Sequence, residues 1–171
     1  MNSKEKIANT LIELMKYEEY EKITIKDISD SSKINRSTYY RNFKSKEDII
    51  KYKLELIMDE FIATYKAKNI QKKEEYIITI LETFYKYKDF FIIIHKEKQI
   101  YLLQKVLVEC FKYNIDNCSK EELYHVYYHI GGIYNFTVCW IENEMEDDPK
   151  TLTKIATDIV KYFNPLLWSY I

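Results

Sequence analysis

Residues 24–50 read TIKDISDSSKINRSTYYRNFKSKEDII, and this stretch decides the fold. Thr24 is a favourable N-cap for a short helix that carries Ile25 and Ile28. Asn35 is a second such N-cap, and it heads a segment over 36–43 whose aromatic residues are four apart on one face. Ser45, followed by Lys-Glu-Asp, caps the next helix. Two short helices joined by a turn of three to four residues have the spacing of a helix-turn-helix.

The second of these short helices divides its side chains between two faces. Tyr39 and Phe43 can anchor it to its own domain. The polar and cationic side chains fall on the side away from this pair, and they are Arg36, Ser37, Thr38, Tyr40 and Arg41. Helix starts headed by Asn35 and Ser45 also present free backbone N–H groups to phosphates, with Lys46 beside the second. The segment therefore predicts a DNA-binding surface.

The charge distribution agrees with a confined surface of this kind. Residues 1–53 hold 12 basic and 9 acidic side chains, whereas residues 54–171 hold 14 and 18. Within the first part, residues 32–53 carry seven basic and two acidic side chains, a net charge of +5. A short basic segment on a nearly neutral chain indicates a local polyanion-binding surface. A solvated helix face is the other interpretation of the same charges.

Residues 24–50, together with the helical pattern from Ile7 to Leu14, resemble the TetR family of transcriptional regulators. The matching pattern is a Thr-capped helix with Asp-Ile, a tight turn, then Thr-Tyr-Tyr-x-x-Phe and Ser-Lys-Glu. The resemblance implies phosphate contacts by Thr24, Tyr40 and Lys46 and base contacts by Arg36, Ser37 and Thr38, with Tyr39 and Phe43 in the core. The complete set expected at DNA is Thr24, Asn35, Arg36, Ser37, Thr38, Tyr40, Arg41 and Lys46.

Three positions depart from the family pattern. Lys33 stands where the family usually has a turn glycine, Asn35 where it often has serine, and Ser37 where it frequently has glycine. We expect Asn35 to cap its helix all the same. Lys33 must tolerate a positive φ, at a cost on the order of 1 kcal/mol. These departures concern the operator sequence more than the fold.

The whole chain is expected to be all-α, with about nine helices. Two glycines and two prolines among 171 residues disfavour a turn-rich β protein. A fourth helix runs to about residue 66, and a polar loop follows over 66–75. Further helices are predicted over 76–87, 90–95, 99–113, 121–142 and 149–168, with a capping box at Ser119 and Glu122 and an Asp148-Pro149 start. We divide the chain into a DNA-binding domain, 1–46, and an effector-binding and dimerisation domain, 47–171.

The resemblance also implies an architecture for the second domain. Family members dimerise through their last two helices, here 121–142 and 149–168, and hold a ligand among the middle ones. Gly131, Gly132 and Ala156 would permit close helix approach. The stretch from Tyr127 to Asn143 is similar to short TetR-type regulators that include dihydroxyacetone-kinase regulators.

Aromatic residues dominate this second domain, and some are candidates for an effector pocket. Tyrosines supply both apolar area and a hydroxyl. The candidates are Tyr76, Phe84, Tyr101, Tyr127, Tyr128, Tyr134 and Trp140. Packing in the core is the alternative explanation for each of them.

The remaining sequence features argue against a metal site, a cofactor and an enzymatic activity. His125 and His129 have metal-ligand spacing, but no HExxH, CxxC or carboxylate cluster accompanies them, so we expect no metal and no cofactor. No nucleophile–base pattern or phosphate loop indicates an enzyme. The odd cysteines Cys110, Cys118 and Cys139 indicate a reducing compartment and buried positions. Without a signal sequence or a membrane span, we expect a cytoplasmic protein.

The sequence thus predicts a ligand-responsive repressor that binds a pseudo-palindromic operator as a homodimer and responds to an unidentified small molecule. The alternative is a co-regulator of the same fold that acts through a protein partner.

Overall fold

The computed structural model describes residues 2–111, 116 and 118–160. This part of the chain contains nine α-helices and no β-strand. They are α1 (Ser3–Leu14), α2 (Ile25–Ser32), α3 (Arg36–Asn42), α4 (Lys46–Ala67), α5 (Lys73–Lys86), α6 (Lys88–Lys96), α7 (Tyr101–Cys110), α8 (Lys120–Glu142) and α9 (Pro149–Val160). The all-α prediction is confirmed.

Side-chain caps set where several helices begin. Thr24, Ser45 and Ser119 each accept a backbone N–H three residues on, while the acidic side chain at that position accepts the N–H of the cap. Asp148 receives the N–H groups of Lys150 and Thr151 ahead of α9. A cap of this type contributes about 1 kcal/mol. The predicted starts of α2, α4, α8 and α9 follow these caps.

Four of the described helices are followed by left-handed residues that are not glycine. These are Lys33 after α2 with φ 55°, Asn69 after α4 with φ 48°, Lys98 after α6 with φ 59°, and Glu144 and Met145 after α8 with φ 53° and 47°. The peptide after Lys33 donates its N–H to the carbonyl of Ser29, which completes the helix end. The positive φ predicted for Lys33 is therefore confirmed. Glycine is absent from these positions because both glycines lie inside α8.

The predicted ends of some helices need correction. The loop expected over 66–75 is shorter, because α4 continues to Ala67 and α5 already begins at Lys73. The helix predicted over 99–113 begins at Tyr101, and its description ends with Cys110 and the cap residue Phe111. The helix predicted over 149–168 is described to Val160, and the rest of that range lies outside the described residues.

One continuous core runs through the described residues, and α4 links its two ends. Near the N-terminus α1 packs against α2, α3 and the start of α4, and Ile7, Leu11 and Ile49 are fully buried there. Farther along, α4 packs against α5 and α7 through Phe61 and its neighbours, α8 packs against α7 and α6, and α9 packs against α5. Each such side chain contributes about 1.5–3 kcal/mol by leaving water.

The cysteines were predicted to be buried, and this is wrong for two of them. Cys110 and Cys139 are exposed, and Cys118 is partly buried. Cys110 ends α7, and Cys139 shares the outer face of α8 with Asn135, so helix geometry turns both away from the core. None of the helices in the described residues combines the length and hydrophobicity that a membrane span requires.

Candidate DNA-binding site

The helix-turn-helix consists of α2, the turn 33–35 and α3. The inner face of α3 is fixed by Tyr39, which is fully buried, and by Phe43 just beyond the helix. The two rings lie 6.3 Å apart, and Phe43 contacts Tyr52 of α4 at 5.7 Å between centroids. Lys4 of α1 places its ammonium 4.6 Å from the Tyr52 ring. These contacts hold α3 against α1 and α4.

The outer face of α3 presents a row of polar side chains to solvent. Arg36, Ser37, Tyr40 and Arg41 are exposed, and Tyr40 exposes 59% of its surface. Their spacing of one, four and five residues keeps them on one side of the helix. Tyr39 and Tyr40 therefore have opposite roles: one ring packs inward, and its neighbour points outward 5.4 Å away.

Two further predicted residues flank this row. Thr38 is half-buried, and its hydroxyl accepts a hydrogen bond of 2.8 Å from the Arg41 guanidinium, which orients that cation on the outer face. Asn35 occupies the N-cap position of α3 and is exposed, but its side chain makes no capping hydrogen bond. The expectation that Asn35 caps α3 through its side chain is wrong, which leaves that amide outside the helix's own hydrogen bonding.

The cations of this region differ in their ion pairing. Among the described residues, Arg36, Arg41 and Lys44 form no ion pair, while Lys51 pairs weakly with Glu55 at 3.9 Å. When an unpaired surface cation contacts a phosphate, it displaces counterions that were condensed on the nucleic acid, and their release favours binding. The outward face is therefore electrostatically suited to nucleic acid.

Thr24 is exposed at the start of α2. Its hydroxyl donates to the Asp27 carboxylate at 2.5 Å and accepts the Asp27 N–H at 3.2 Å. The hydrogen bond from Thr24 holds the pKa of the Asp27 carboxyl below its usual value. Thr24 is thus occupied as a cap, and its phosphate contact stays a prediction.

Lys46, the remaining residue of the predicted set, points into the protein. Its ammonium donates to the carbonyl of Tyr20 at 2.5 Å and to that of Ile23 at 2.8 Å, and lies 4.3 Å from the Tyr20 ring. Partial burial lowers the pKa of the ammonium. Lys46 thereby ties the start of α4 to the loop between α1 and α2, and its predicted phosphate contact stays untested.

The same loop is held from the other side by the C-terminal part of the chain. The N–H of Tyr20 donates to the carboxylate of Glu97, which ends α6, at 2.8 Å. The peptide groups of Tyr20 are thus bound from two sides of the sequence: Lys46 of α4 donates to the carbonyl, and Glu97 at the end of α6 accepts from the N–H. Burial and the nearby Glu47 side chain at the start of α4 raise the pKa of the Tyr101 hydroxyl on α7. Sequence patterns did not identify Tyr20 or Glu97, because they are 77 residues apart.

The predicted pocket residues fall into separate groups. Tyr76 and Phe84 are buried on one face of α5, and Trp140 is buried where its ring stacks on Tyr85 at 5.7 Å. Tyr127 and Tyr128 expose 50% and 62% of their surfaces on the outside of α8. Tyr134 is half-buried, as is Tyr101 beside Glu47. The structure brings these seven residues to different surroundings, and their ligand contacts stay a prediction.

The interior holds a polar pair, Tyr76 and His129, of which the sequence indicated only Tyr76 as a pocket candidate. The Tyr76 hydroxyl lies 2.9 Å from Nε2 of His129 on α8, among the rings of Phe61, Tyr65 and Phe111. Burial lowers the pKa of His129 to about 4, so the imidazole is neutral at pH 7. The flanking Val126 and Ile130, both buried, were the available signal that this histidine faces inward. The described residues contain no group of three or more His, Cys, Asp or Glu arranged to hold a metal ion.

Comparison with known proteins agrees with this geometry. Residues 7–52 match the family described as bacterial regulatory proteins, tetR family. The structure of Lin0861 from Listeria innocua is similar to this chain with a TM-score of 0.77 and 16% identity, over 94% of this chain and 92% of that one. The fatty acid degradation regulator FadR from Bacillus halodurans is similar with a TM-score of 0.59 and 14% identity, over 94% and 95%. No curated protein sequence matches this chain.

Proposed function

We propose that this chain, a member of the tetR family of bacterial regulatory proteins and hence a DNA-binding regulator, is a ligand-responsive repressor that binds a pseudo-palindromic operator as a homodimer. The observation that carries the proposal is that α3 has a polar outer face and a buried aromatic inner face. Its exposed side chains are polar or cationic and form no ion pair with another described residue, while its inner face is anchored by buried aromatic rings. A helix so divided can enter a major groove without losing its packing.

We assign roles within this face by what each side chain can offer. Arg36, Ser37 and Thr38 lie in the first turn of α3, which is the part of a recognition helix that reads base edges. Tyr40, Asn35 and Arg41 offer donors to phosphates around it, and Thr24 does so from the start of α2. We assign Lys46 a positioning role, because its ammonium already has two carbonyl acceptors.

The proposed dimer surface is the outer face of α8. Tyr124, Tyr128, Gly132 and Asn135 are all exposed, and their spacing places them along one side of the helix. A side-chain carbon added at Gly131 or Gly132 meets nothing within 4 Å in one chain. Two copies of α8 can therefore approach closely at this point, with the tyrosines covering the rest of the contact. Residues 47–171 form the proposed effector-binding and dimerisation domain.

The proposed response to a ligand follows from thermodynamic linkage. A ligand that binds the arrangement unable to engage DNA more tightly than the competent one lowers operator affinity by the ratio of its two affinities. Two connections carry the change to the DNA-binding domain: the continuous helix α4 and the hydrogen bond from Tyr20 to Glu97.

A co-regulator acting through a protein partner is the second candidate, and the exposed tyrosines of α8 favour it as well. Tyr124 exposes 68% and Tyr128 62% of its surface in one chain. A different protein could cover this face in place of a second copy. Operator binding by the purified chain alone separates the two candidates, since only the homodimeric repressor needs no partner.

The assignment of base and phosphate contacts is tested by three single variants, each titrated with an operator duplex and a random duplex. Arg36→Ala should weaken operator binding by about 1–3 kcal/mol and random binding much less. Tyr40→Phe should weaken both duplexes alike, because phosphates carry no sequence information.

Tyr39→Phe is the matched control, since it removes the neighbouring hydroxyl from the inner face. That hydroxyl is buried and has no hydrogen-bond partner in the described part of the chain, so its loss should leave DNA affinity unchanged and the fold no less stable. Equal losses on both duplexes from Arg36→Ala and Tyr40→Phe would contradict the assignment of Arg36 to bases.

A further inference from the structure

A cleft of about 470 Å³ lies between the DNA-binding helices and the rest of the molecule. One wall is α1, with Asn9 and Ile12, and part of α4. The other wall is the junction of α5 and α6, with Phe90 and Ile93. The volume is within the range of small-molecule sites. Neither the helix-turn-helix contacts nor the proposed dimer surface uses this cleft.

The lining is rich in cations and aromatic rings. Four lysines face the cleft, against two acidic residues, which gives the lining a net charge of +2. The lysines are Lys16, Lys53, Lys86 and Lys88, and the acidic residues are Glu13 and Asp89. Tyr85 and Tyr87 supply the rings. Such a combination favours a ligand that is both negatively charged and flat.

The lysines differ in how far their charge is already satisfied. Lys16 pairs with Glu13 at 2.6 Å, and Lys86 pairs with Glu60 at 2.8 Å. Lys53 and Lys88 have no acidic partner within ion-pair distance among the described residues. These two ammonium groups are therefore available to an incoming anion.

Each of these two cations lies near one ring of the segment 85–87, and both line the same cleft. The Lys53 ammonium lies 5.4 Å from the centroid of Tyr87, whose hydroxyl is fixed by a 2.6 Å hydrogen bond to Glu60. The Lys88 ammonium lies 5.9 Å from Tyr85 and 3.2 Å from the carbonyl of Met145. Tyr85 itself is stacked on the buried Trp140. Both rings thus have defined orientations before any ligand arrives, which lowers the entropic cost of binding.

We propose that this cleft binds a small aromatic molecule carrying a phosphate group, with the phosphate held by Lys53 and Lys88 and the ring placed against Tyr85 and Tyr87. The first residues of α6, Lys88 and Asp89, line the same space, and no side chain caps that helix start. Its backbone N–H groups add donors to those of the lysines. A molecule bound here contacts both the DNA-binding helices and the C-terminal helices.

The test uses phenyl phosphate as the probe and contains no DNA, so its result is independent of the proposed repressor function. The full-length protein is titrated while heteronuclear NMR spectra are recorded. We expect saturable shifts of the amides of Asn9, Asp89 and their neighbours, with weaker binding of inorganic phosphate and none of the neutral benzyl alcohol. No saturable binding of phenyl phosphate, or saturable shifts confined to α7 and α8, would overturn the proposal.

The double variant Lys53→Gln/Lys88→Gln should weaken phenyl phosphate at least about ten-fold, because two charge-assisted contacts are lost. Lys51→Gln/Lys105→Gln removes the same charge from α4 and α7 outside the cleft and should retain the wild-type affinity. Melting temperatures without ligand verify that both variants fold. Equal affinities in the two double variants would assign the binding to overall charge and overturn the site.

Discussion

At the scale of single residues, the interior pair of Tyr76 and His129 has the clearest consequence. Burial holds His129 neutral, with its pKa lowered to about 4, so the folded protein takes up this proton only in strong acid. The unfolded chain takes it up near the ordinary value of about 6.5. The folded form therefore loses stability relative to the unfolded form as the pH falls between these two values.

We expect the free energy of unfolding to decrease by up to about 3 kcal/mol on this account between pH 6.5 and pH 4. His129→Gln should remove that part of the decrease, because an amide does not titrate there. Tyr76→Phe is the control, since it leaves the imidazole buried and should retain the decrease. Urea unfolding at several pH values measures all three proteins. Identical pH profiles for the wild type and His129→Gln would show that this imidazole is not the group responsible.

Three single residues show which features can be predicted from sequence patterns and which cannot. The positive φ of Lys33 was predictable, because the turn geometry fixes the backbone whatever side chain occupies it. The burial of His129 was harder to predict, since it depends on which side of α8 faces α7 and the Tyr76 ring. The hydrogen bonds of Lys46 were missed altogether, because their acceptors are backbone carbonyls more than twenty residues away.

At the scale of helices, two lysines near the start of α4 have different surroundings and hence different expected roles. Lys46 grips the loop between α1 and α2, whereas Lys44, two residues earlier, is exposed. Only a lysine that meets a phosphate contributes to the dependence of DNA affinity on salt.

Lys46→Met should lower the stability of the protein by about 1.5–3 kcal/mol, because a charged donor to two carbonyls is lost. It should weaken DNA binding without changing the slope of log affinity against log salt. Lys44→Met should reduce that slope by about one. Affinity measurements at several salt concentrations decide between them. A reduced slope for Lys46→Met would assign Lys46 to a phosphate, as the family resemblance implies.

Helix positions themselves were largely predictable, for a local reason. Thr24, Ser45 and Ser119 form caps with residues three positions away, so sequence alone contains both partners. The start of α5 was missed because Lys72 precedes it without a side-chain cap. The sequence could not show which aromatic residues share a pocket. Periodicity predicts the buried face of each helix but not the helix against which that face packs.

At the scale of the whole molecule, the proposed homodimer requires a surface that joins two DNA-binding domains. The outer face of α8 carries Tyr124, Tyr128 and Gly132, and a side-chain carbon added at this glycine meets nothing within 4 Å in one chain. Helices cross closely where glycine removes the side chain, and a larger residue there separates them.

Gly132→Leu should therefore convert the protein to a monomer while leaving each chain at least as stable, since glycine inside a helix costs about 1 kcal/mol. Gln104→Leu, an equally exposed addition of a leucine on α7, should keep the dimer. Sedimentation velocity measures the mass of each. A dimeric Gly132→Leu protein would exclude a close crossing at this glycine.

The most direct test of the account is selection of bound sequences from a random DNA pool by the purified protein, followed by titration of the best site at two salt concentrations. We predict an inverted repeat, with half-sites about one helical turn or a multiple of it apart, and affinity that falls steeply with salt. Enrichment of no sequence, even at low salt, would contradict an autonomous DNA-binding homodimer and favour the form that acts through a protein partner.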